Sequence, residues 1–139
     1  MENAKQKGLG LIELIIIIGL FGLLIVLGVI MLGNERARTR DSQRLADMTR
    51  VQAAFQLLYY TQASYAEAAD GCDEVGTAVA ACGLDRYLNG IGTLQDPGSF
   101  SYRIAKVPDE HGYAVEFTLE RGYGTLAPGS HFLTEQGIQ

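Results

Sequence analysis

The stretch KGLGLIELIIIIGLFGLLIVLGVIMLG, residues 7–33, decides how this chain of 139 residues is organised. Every residue from 14 to 33 is apolar or glycine, which makes an unbroken run of 20 residues. At ~1.5 Å per residue, a helix of that length is ~30 Å long, which is the thickness of the hydrocarbon core of a bilayer. We therefore predict a membrane-spanning helix.

A removable secretory signal is the alternative interpretation of this run. The apolar core of such a signal is usually ~7–15 residues long and is followed by a cleavage site of small residues. The run here is longer, and the sequence MLGNERARTR that follows it has no such site. We expect the span to stay in the mature protein.

Glu13 is the one charged residue between residues 8 and 34. A carboxylate in a medium of low dielectric constant is costly, so acids inside membrane spans usually serve a function and have a partner. No residue of the span can pair with Glu13. The simplest interpretation is a carboxylate at the lipid boundary, favoured by the helix dipole and close in sequence to Lys5 and Lys7.

The segment ERARTRDSQRLADMTRVQAAFQLLYY, residues 35–60, predicts an amphipathic helix that continues the span, broken at most near Gly33. Its apolar residues recur at steps of three or four, as on one face of a helix. They are Leu45, Met48, Val51 or Gln52, Phe55 and Leu58.

The rest of the chain predicts a small antiparallel sheet. Residues 61–99 are rich in turn residues, with a short helix expected at Leu84–Leu88. Alternation in YAVEFTLE, and less strictly in FSYRIAKV, predicts two strands joined by a PDEHG hairpin turn, with a third short strand in SHFLTE. The apolar face of this sheet needs the apolar face of the helix, so the fold class is α+β. We divide the chain into the N-terminal residues 1–8, the span at 9–33, the amphipathic helix at 34–60, the turn-rich region at 61–99 and the sheet at 100–139.

Charge and composition narrow the function classes. Residues 61–139 hold eleven acids against four basic residues, which argues against a nucleic-acid surface. His111 falls in the hairpin turn and His131 beside a strand, and neither has a catalytic or metal-ligating neighbour at a suitable spacing. The tyrosines read as core and rim residues. We expect no enzyme activity and no cofactor.

Cys72 and Cys82 are the two cysteines of the chain, and nine residues separate them in a turn-rich stretch. In an exported protein such a pair most often forms one disulfide that closes a small loop. Two unrelated free thiols are the alternative. We expect the disulfide if this region lies outside the cytoplasm.

The N-terminal sequence resembles the class III signal of type IV pilins and type II secretion pseudopilins. The resemblance rests on KGLGLIEL, a short basic leader that ends in glycine and precedes an apolar span with an acid as its fifth residue. The order of span, amphipathic helix and small sheet is also similar to a pilin. The family implies a structural subunit that a prepilin peptidase cleaves, that an inner-membrane assembly platform polymerises, and that forms a filament with other copies of itself and related pilins.

The resemblance also implies roles for particular residues. Cleavage would follow Gly8, and the new amino group of Leu9 would be methylated. Glu13 would be the fifth mature residue, whose carboxylate faces the N-terminal amine of an adjoining subunit in the filament. The departures are Leu9 where phenylalanine is usual, Gly10 where threonine is common, and a span without proline. Residues 121–134 contain no acid, so a calcium site is not carried over.

Topology is where two principles disagree. Four arginines follow the span within eleven residues, which by the positive-inside rule would place the C-terminal region in the cytoplasm. The leader requires a cytoplasmic protease, and the cysteines suit an oxidising side. We therefore expect a single-pass inner-membrane precursor with an extracytoplasmic C-terminal region, and then a periplasmic or extracellular filament. The arginines either pair with Asp41, Asp47 and acids of neighbouring subunits, or form a solvated face touching lipid phosphates.

Two function hypotheses remain from the sequence. The first is the filament subunit. The second is a permanently anchored single-span membrane protein whose extracytoplasmic region binds a partner or a ligand. The sequence does not distinguish among secretion, DNA uptake, adhesion and motility, nor between a major and a minor subunit.

Overall fold

A computed structural model describes residues 10–139 of the chain. The chain divides into two compact units, Met1–Arg36 and Ala37–Gln139, and we call the second unit the head. The predicted leader, residues 1–8, and Leu9 lie outside the described residues. The α+β fold class predicted from the sequence is confirmed by a long helix and a small antiparallel sheet.

Helix α1 runs without interruption from Leu11 to Gln62. The expected weak point at Gly33 does not break it. In the N-terminal unit the apolar side chains of α1 are exposed within the chain. This is the one helix among the described residues that is long and apolar enough to cross a membrane. This confirms the prediction that the amphipathic segment continues the span, since the two form one element from Leu11 to Gln62.

Within the head, α1 buries one face. The predicted apolar stripe is confirmed, with Leu45 partly buried and its other positions fully covered by the rest of the head: Met48, Val51, Phe55 and Leu58. The buried face also extends toward the N-terminus through Asp41 and Arg44. Charged residues in a buried stripe fall outside what an apolar pattern predicts.

The sheet has four strands rather than the expected three. They are β1 (Arg103–Lys106), β2 (Ala114–Leu119), β3 (Gly129–Thr134) and β4 (Gly137–Ile138), in that order and all antiparallel. The side chains of Val115, Phe117 and Leu119 point into the core, as their alternation predicts. Strand β4 has two residues, which is too short to show a period.

The hairpin between β1 and β2 forms where the PDEHG sequence predicts it. The carboxylate of Asp109 accepts hydrogen bonds from the backbone N–H groups of His111 (2.7 Å) and Gly112 (2.9 Å). The Asp side chain thus takes the place of a backbone acceptor in the turn, as Asp side chains commonly do.

Residues 63–99 form loops with three 3₁₀ turns, at Ala66–Ala69, Val79–Ala81 and Ile91–Thr93. The prediction of a short helix at Leu84–Leu88 is wrong. The segment makes a single turn, in which the N–H of Leu88 donates to the carbonyl oxygen of Leu84 at 2.8 Å. A helix of five residues cannot recover the cost of its first turn, and Gly90 in the left-handed region follows it.

Aromatic rings fill the centre of the head. The ring of Phe55 stacks on that of Tyr113 with centroids 3.7 Å apart, and Tyr65 meets both rings edge-on. Tyr65, Tyr102 and Tyr113 are core residues, as expected for part of the tyrosines.

Cys72 and Cys82 form a disulfide, which confirms the prediction from their placement. Both are buried in the core, where the bond ties the loop after Ala66–Ala69 to the segment after Val79–Ala81. A crosslink over ten residues removes conformations from the unfolded chain more than it adds contacts to the folded one.

We predict that Cys72→Ala/Cys82→Ala lowers the free energy of unfolding of the head by about 2–4 kcal/mol, because the unfolded chain regains loop entropy. Guanidinium denaturation of the full chain in detergent, followed by near-ultraviolet circular dichroism of the tyrosines, measures it. Reduced wild-type protein is the control and should lose a similar amount. A loss below about 0.5 kcal/mol in both samples would contradict the prediction.

Candidate functional site

The first turn of α1 carries the acid that the sequence singles out. Glu13 is the third residue of the helix, and its Oε2 accepts a hydrogen bond from the backbone N–H of Gly10 at 3.2 Å. Glu at this position that reaches back to the residue before the helix is half of a capping box. The carboxylate therefore has a backbone partner in its own chain, besides the favourable helix dipole.

The expected cleavage and methylation positions, Gly8 and Leu9, lie outside the described residues. So do Lys5 and Lys7, the expected neighbours of the carboxylate. What the first turn offers is an exposed carboxylate with lone pairs left over after the bond to Gly10. Such a group can accept a further charged donor.

The head contains a second feature, which we call the charge cluster: Arg40, Asp41, Arg44, Asp96 and Glu120. At its centre the Arg44 side chain is 0% exposed. A buried guanidinium is tolerated only when its N–H groups are bonded to acceptors and its charge is balanced. The geometry around Arg44 meets both requirements.

Three carboxylates surround Arg44. Its Nη1 donates to Asp41 Oδ1 at 2.7 Å and to Glu120 Oε1 at 2.8 Å. Its Nε and Nη2 donate to the two oxygens of Asp96 at 2.5 and 2.9 Å, a bidentate pairing. The ring of Phe100 lies 5.0 Å from Arg44 Cζ, within the range of a cation–π contact. The nearby Arg40 Nε donates to Glu120 Oε1 at 2.7 Å.

Asp41 ties α1 to the chain that leaves strand β2. Its carboxylate oxygens accept the backbone N–H groups of Glu120 (2.9 Å), Arg121 (2.7 Å) and Gly122 (3.1 Å). Gly122 has φ +82°, and a Cβ there would lie 2.3 Å from the carbonyl oxygen of Leu126. Only glycine can make this turn over the carboxylate.

Asp96 shapes its own loop while it holds Arg44. Its Oδ1 also accepts the backbone N–H groups of Gly98 (2.7 Å) and Phe100 (3.3 Å). A Cβ on Gly98 would lie 2.9 Å from Arg44 Nη2, so glycine lets the backbone approach the guanidinium closely. The DPGSF sequence thus closes around the arginine.

The electrostatics keep every acid of the cluster ionised. Hydrogen bonding from Arg40, aided by Arg44, outweighs burial and lowers the pKa of Glu120 to about 2. Burial raises the pKa of Asp41, but the backbone N–H groups of Glu120 and Arg121 and the Arg44 guanidinium leave it below its ordinary value. Burial likewise raises the pKa of Asp96, but the bonds and charge of Arg44 and the backbone N–H groups of Gly98 and Phe100 leave it below its ordinary value.

The charge cluster therefore holds segments of the head together, and it is not suited to proton transfer. Its carboxylates have pKa values too low for a general acid at neutral pH, and each already accepts several hydrogen bonds. Two of the four arginines that follow the span, Arg40 and Arg44, belong to this cluster. Arg44 pairs with Asp41 as predicted, and its other acids, like that of Arg40, belong to the same head. Arg44 is no part of a solvated face.

The remaining predicted residues do not meet at a site. His111 lies exposed in the hairpin, and His131 places its ring nitrogens 3.2 Å from Gln139 O and 2.8 Å from Ala127 O. Among residues 10–139 no group of three or more His, Cys, Asp or Glu side chains is arranged to hold a metal ion. Tyr102 donates its hydroxyl to Asp47 at 3.0 Å, and burial raises its pKa.

Comparison of the chain with protein-family models, with curated proteins and with solved structures finds no match.

We predict that Arg44→Met destabilises the head by about 3–5 kcal/mol, because the buried Asp41 and Asp96 lose their counter-ion and Glu120 keeps only Arg40. Denaturation of the full chain in detergent measures it. Arg38→Met, which changes an exposed arginine of the same helix, should stay within about 0.5 kcal/mol of wild type. Equal losses in the two variants would contradict a central role for Arg44.

We also predict that the stability of the head falls in acid. The pKa of Glu120 is about 2 in the folded chain against an ordinary value of 4.5, so the unfolded chain takes up the proton first. The contribution of Glu120 is present above pH 4.5 and is lost as the pH falls toward 2, and Asp41 and Asp96 act in the same direction.

The measurement is the free energy of unfolding as a function of pH for wild type and for Glu120→Gln. The variant should show a flatter decline below pH 4.5. Glu110→Gln, which neutralises an exposed acid in the hairpin, should keep the full slope. A Glu120→Gln profile parallel to wild type would disprove the assignment.

Proposed function

We propose that this chain is the structural subunit of a type IV pilus-like or type II secretion pseudopilus filament. A prepilin peptidase would cleave it after Gly8, and Leu9 would become the methylated first residue. The observation that carries the proposal is Glu13, a single carboxylate on the first turn of a helix that is otherwise uncharged through Gly33. A basic leader that ends in glycine precedes it, and cleavage after this glycine would make Glu13 the fifth residue of the mature chain.

The charge has a physical use in a polymer. When the helices of several copies pack together, the carboxylate of Glu13 lies in a medium of low dielectric constant. The amine that cleavage frees on Leu9 of an adjoining copy is a counter-ion of opposite sign. At ~4 Å and an effective dielectric constant of ~20, such a pair gains ~4 kcal/mol before desolvation. A wrong stagger leaves both charges buried and unpaired, so the pair selects the register.

The bond from Gly10 is compatible with this second partner. A carboxylate has about four lone-pair sites, and the backbone N–H of Gly10 occupies one of them. Capping in the single chain also holds the Glu13 side chain in place before an amine arrives, which lowers the entropy cost of the intermolecular pair.

The proposal also sets the location and the partners. The apolar part of α1 anchors the precursor in the lipid bilayer, with the head on the extracytoplasmic side, where a disulfide persists. An inner-membrane assembly platform would extract it into a filament of identical and related subunits. The final filament would be periplasmic or extracellular.

A second candidate function is a permanently anchored single-span protein whose head binds a partner or ligand. The specific observation in its favour is the bond between Glu13 and Gly10, because it gives the acid a role in a single chain. In that case the carboxylate would serve as a helix cap at the lipid boundary, and its charge would be incidental.

Two substitutions at Glu13 separate these functions. Glu13→Ala removes both the cap and the charge, whereas Glu13→Gln keeps a capping acceptor and removes only the charge. We expect both variants to insert into the membrane normally and to form fewer than about one tenth of the wild-type filaments, measured by shearing and electron microscopy of cells that express the assembly machinery. Normal filaments from Glu13→Gln would refute a role for the charge.

The N-terminal mass of the wild-type chain is the companion measurement. A mature protein that begins at Leu9 and carries one added methyl group supports the filament subunit. Gly8→Val should block cleavage and leave the precursor mass in the membrane. A wild-type chain that keeps residues 1–8 when the peptidase is present favours the anchored protein.

A further inference from the structure

The face of α1 that points away from the head's core carries a second regular stripe. Its members recur at alternating steps of three and four residues, and all are exposed: Gln43, Ala46, Arg50, Ala53, Leu57 and Tyr60. At 100° per residue this stripe lies opposite the buried one that contains Met48 and Phe55. We call it the outer stripe.

The outer stripe differs from an ordinary solvated helix face. Leu57 is 49% exposed and Tyr60 is 88% exposed. Surface helices usually carry charges of both signs on this side. Between Ala37 and Gln62, however, the exposed charged residues are Arg38 and Arg50, and both are basic.

A surface of opposite charge lies elsewhere on the head. Residues 67–85, which we call the acidic loop, contain no Lys or Arg and five exposed acids: Glu67, Asp70, Asp73, Glu74 and Asp85. Val75 sits among them with 68% of its surface exposed. The disulfide holds this loop, and the Gly76 N–H donates to Ile104 O at 2.7 Å, which fixes Val75 beside β1.

We propose that the outer stripe of one copy binds the acidic loop of a second copy. Val75 would pack against Leu57 and Tyr60, and the two acids that precede it, Asp73 and Glu74, would face Arg50. The inference rests on the proposed function, and it names the contact between heads that such a filament would use.

Arg50 is free enough to take part. Its Nη1 lies 3.5 Å from Asp47 Oδ1, and its side chain is about half exposed. An exposed pair of this kind is worth little, so exchange of one carboxylate for two others is inexpensive. Asp47 keeps the Tyr102 hydroxyl as a partner when Arg50 turns outward.

The placement of the two surfaces favours a second copy over other occupants. The outer stripe lies on the side of α1 away from the core, whereas the acidic loop borders β1. Each copy thus offers both halves of one contact, and a heterologous contact of this kind repeats along an open filament when the rotation between copies does not close a ring. An anionic lipid or nucleic-acid surface would be repelled by the acidic loop, and it would leave the apolar match of Val75 unused.

The test uses the full chain in membranes with a photo-crosslinking amino acid in place of Leu57. We expect a crosslinked dimer whose attachment point, mapped by mass spectrometry, falls at residues 73–75. Arg50→Glu or Glu74→Lys in the same chain should reduce the dimer about tenfold, and the charge swap Arg50→Glu/Glu74→Lys should restore it. Arg38→Glu, ~18 Å along the helix from Arg50, is the matched control and should leave the dimer intact.

A crosslink to lipid, to an unrelated protein or to another part of the head would overturn the inference, as would a swap that fails to restore the dimer. The two proposals can fail separately. If Arg50→Glu forms as many filaments as wild type, this contact is ruled out and the filament proposal stands. If the chain dimerises through residues 57 and 75 but retains residues 1–8, and Glu13→Gln has no effect on it, the contact stands and the filament proposal is ruled out.

Discussion

The buried guanidinium of Arg44 is the constraint on which the head depends. Removing such an ion from water is expensive, and the cost is recovered only when its N–H groups and its charge are all matched. The matching acids come from α1 itself, from the loop before β1 and from the end of β2, at positions 41, 96 and 120. Three segments must therefore reach their places together. A helix displaced along its axis by one turn, ~5.4 Å, would break all of these hydrogen bonds at once.

Within the head, the two ends of α1 contribute differently to the fold. From Met48 to Leu58 the buried face is apolar and supplies the non-directional free energy of burial, including the stacked rings of Phe55 and Tyr113. From Arg40 to Arg44 it is charged and supplies direction and register. If the chain polymerises as proposed, this division is useful, because a subunit drawn out of a membrane by its neighbours needs a head that cannot shift along its helix.

Periodic features were predictable from the sequence, and long-range polar contacts were not. The stripe from Leu45 to Leu58 and the alternation from Tyr113 to Leu119 each repeat within one element, so burial follows from the pattern. The charge cluster joins Arg44 to partners 52 and 76 residues away, and no local period records such a contact. The DPG and ERG sequences around Asp96 and Glu120 signal turns, but not what the turns enclose. The two-residue strand β4 and the single turn at Leu84–Leu88 fall below the length at which a pattern can be distinguished from chance.

The carboxylate of Glu13 leads to the last step. Its bond to the Gly10 N–H shows that the side chain caps its own helix, which a neutral glutamine would also do. Glutamine would cost less to bring into a bilayer, because the penalty for burying an ion far exceeds that for an amide. A cap alone therefore does not account for an ionisable group at this position. What distinguishes glutamate from glutamine is attraction to positive charge, of which the helix dipole supplies a part, and the sequence between Leu11 and Gly33 contains no cation. In the filament that we propose, the amine freed on a second chain would supply that cation and would also fix how two such helices align.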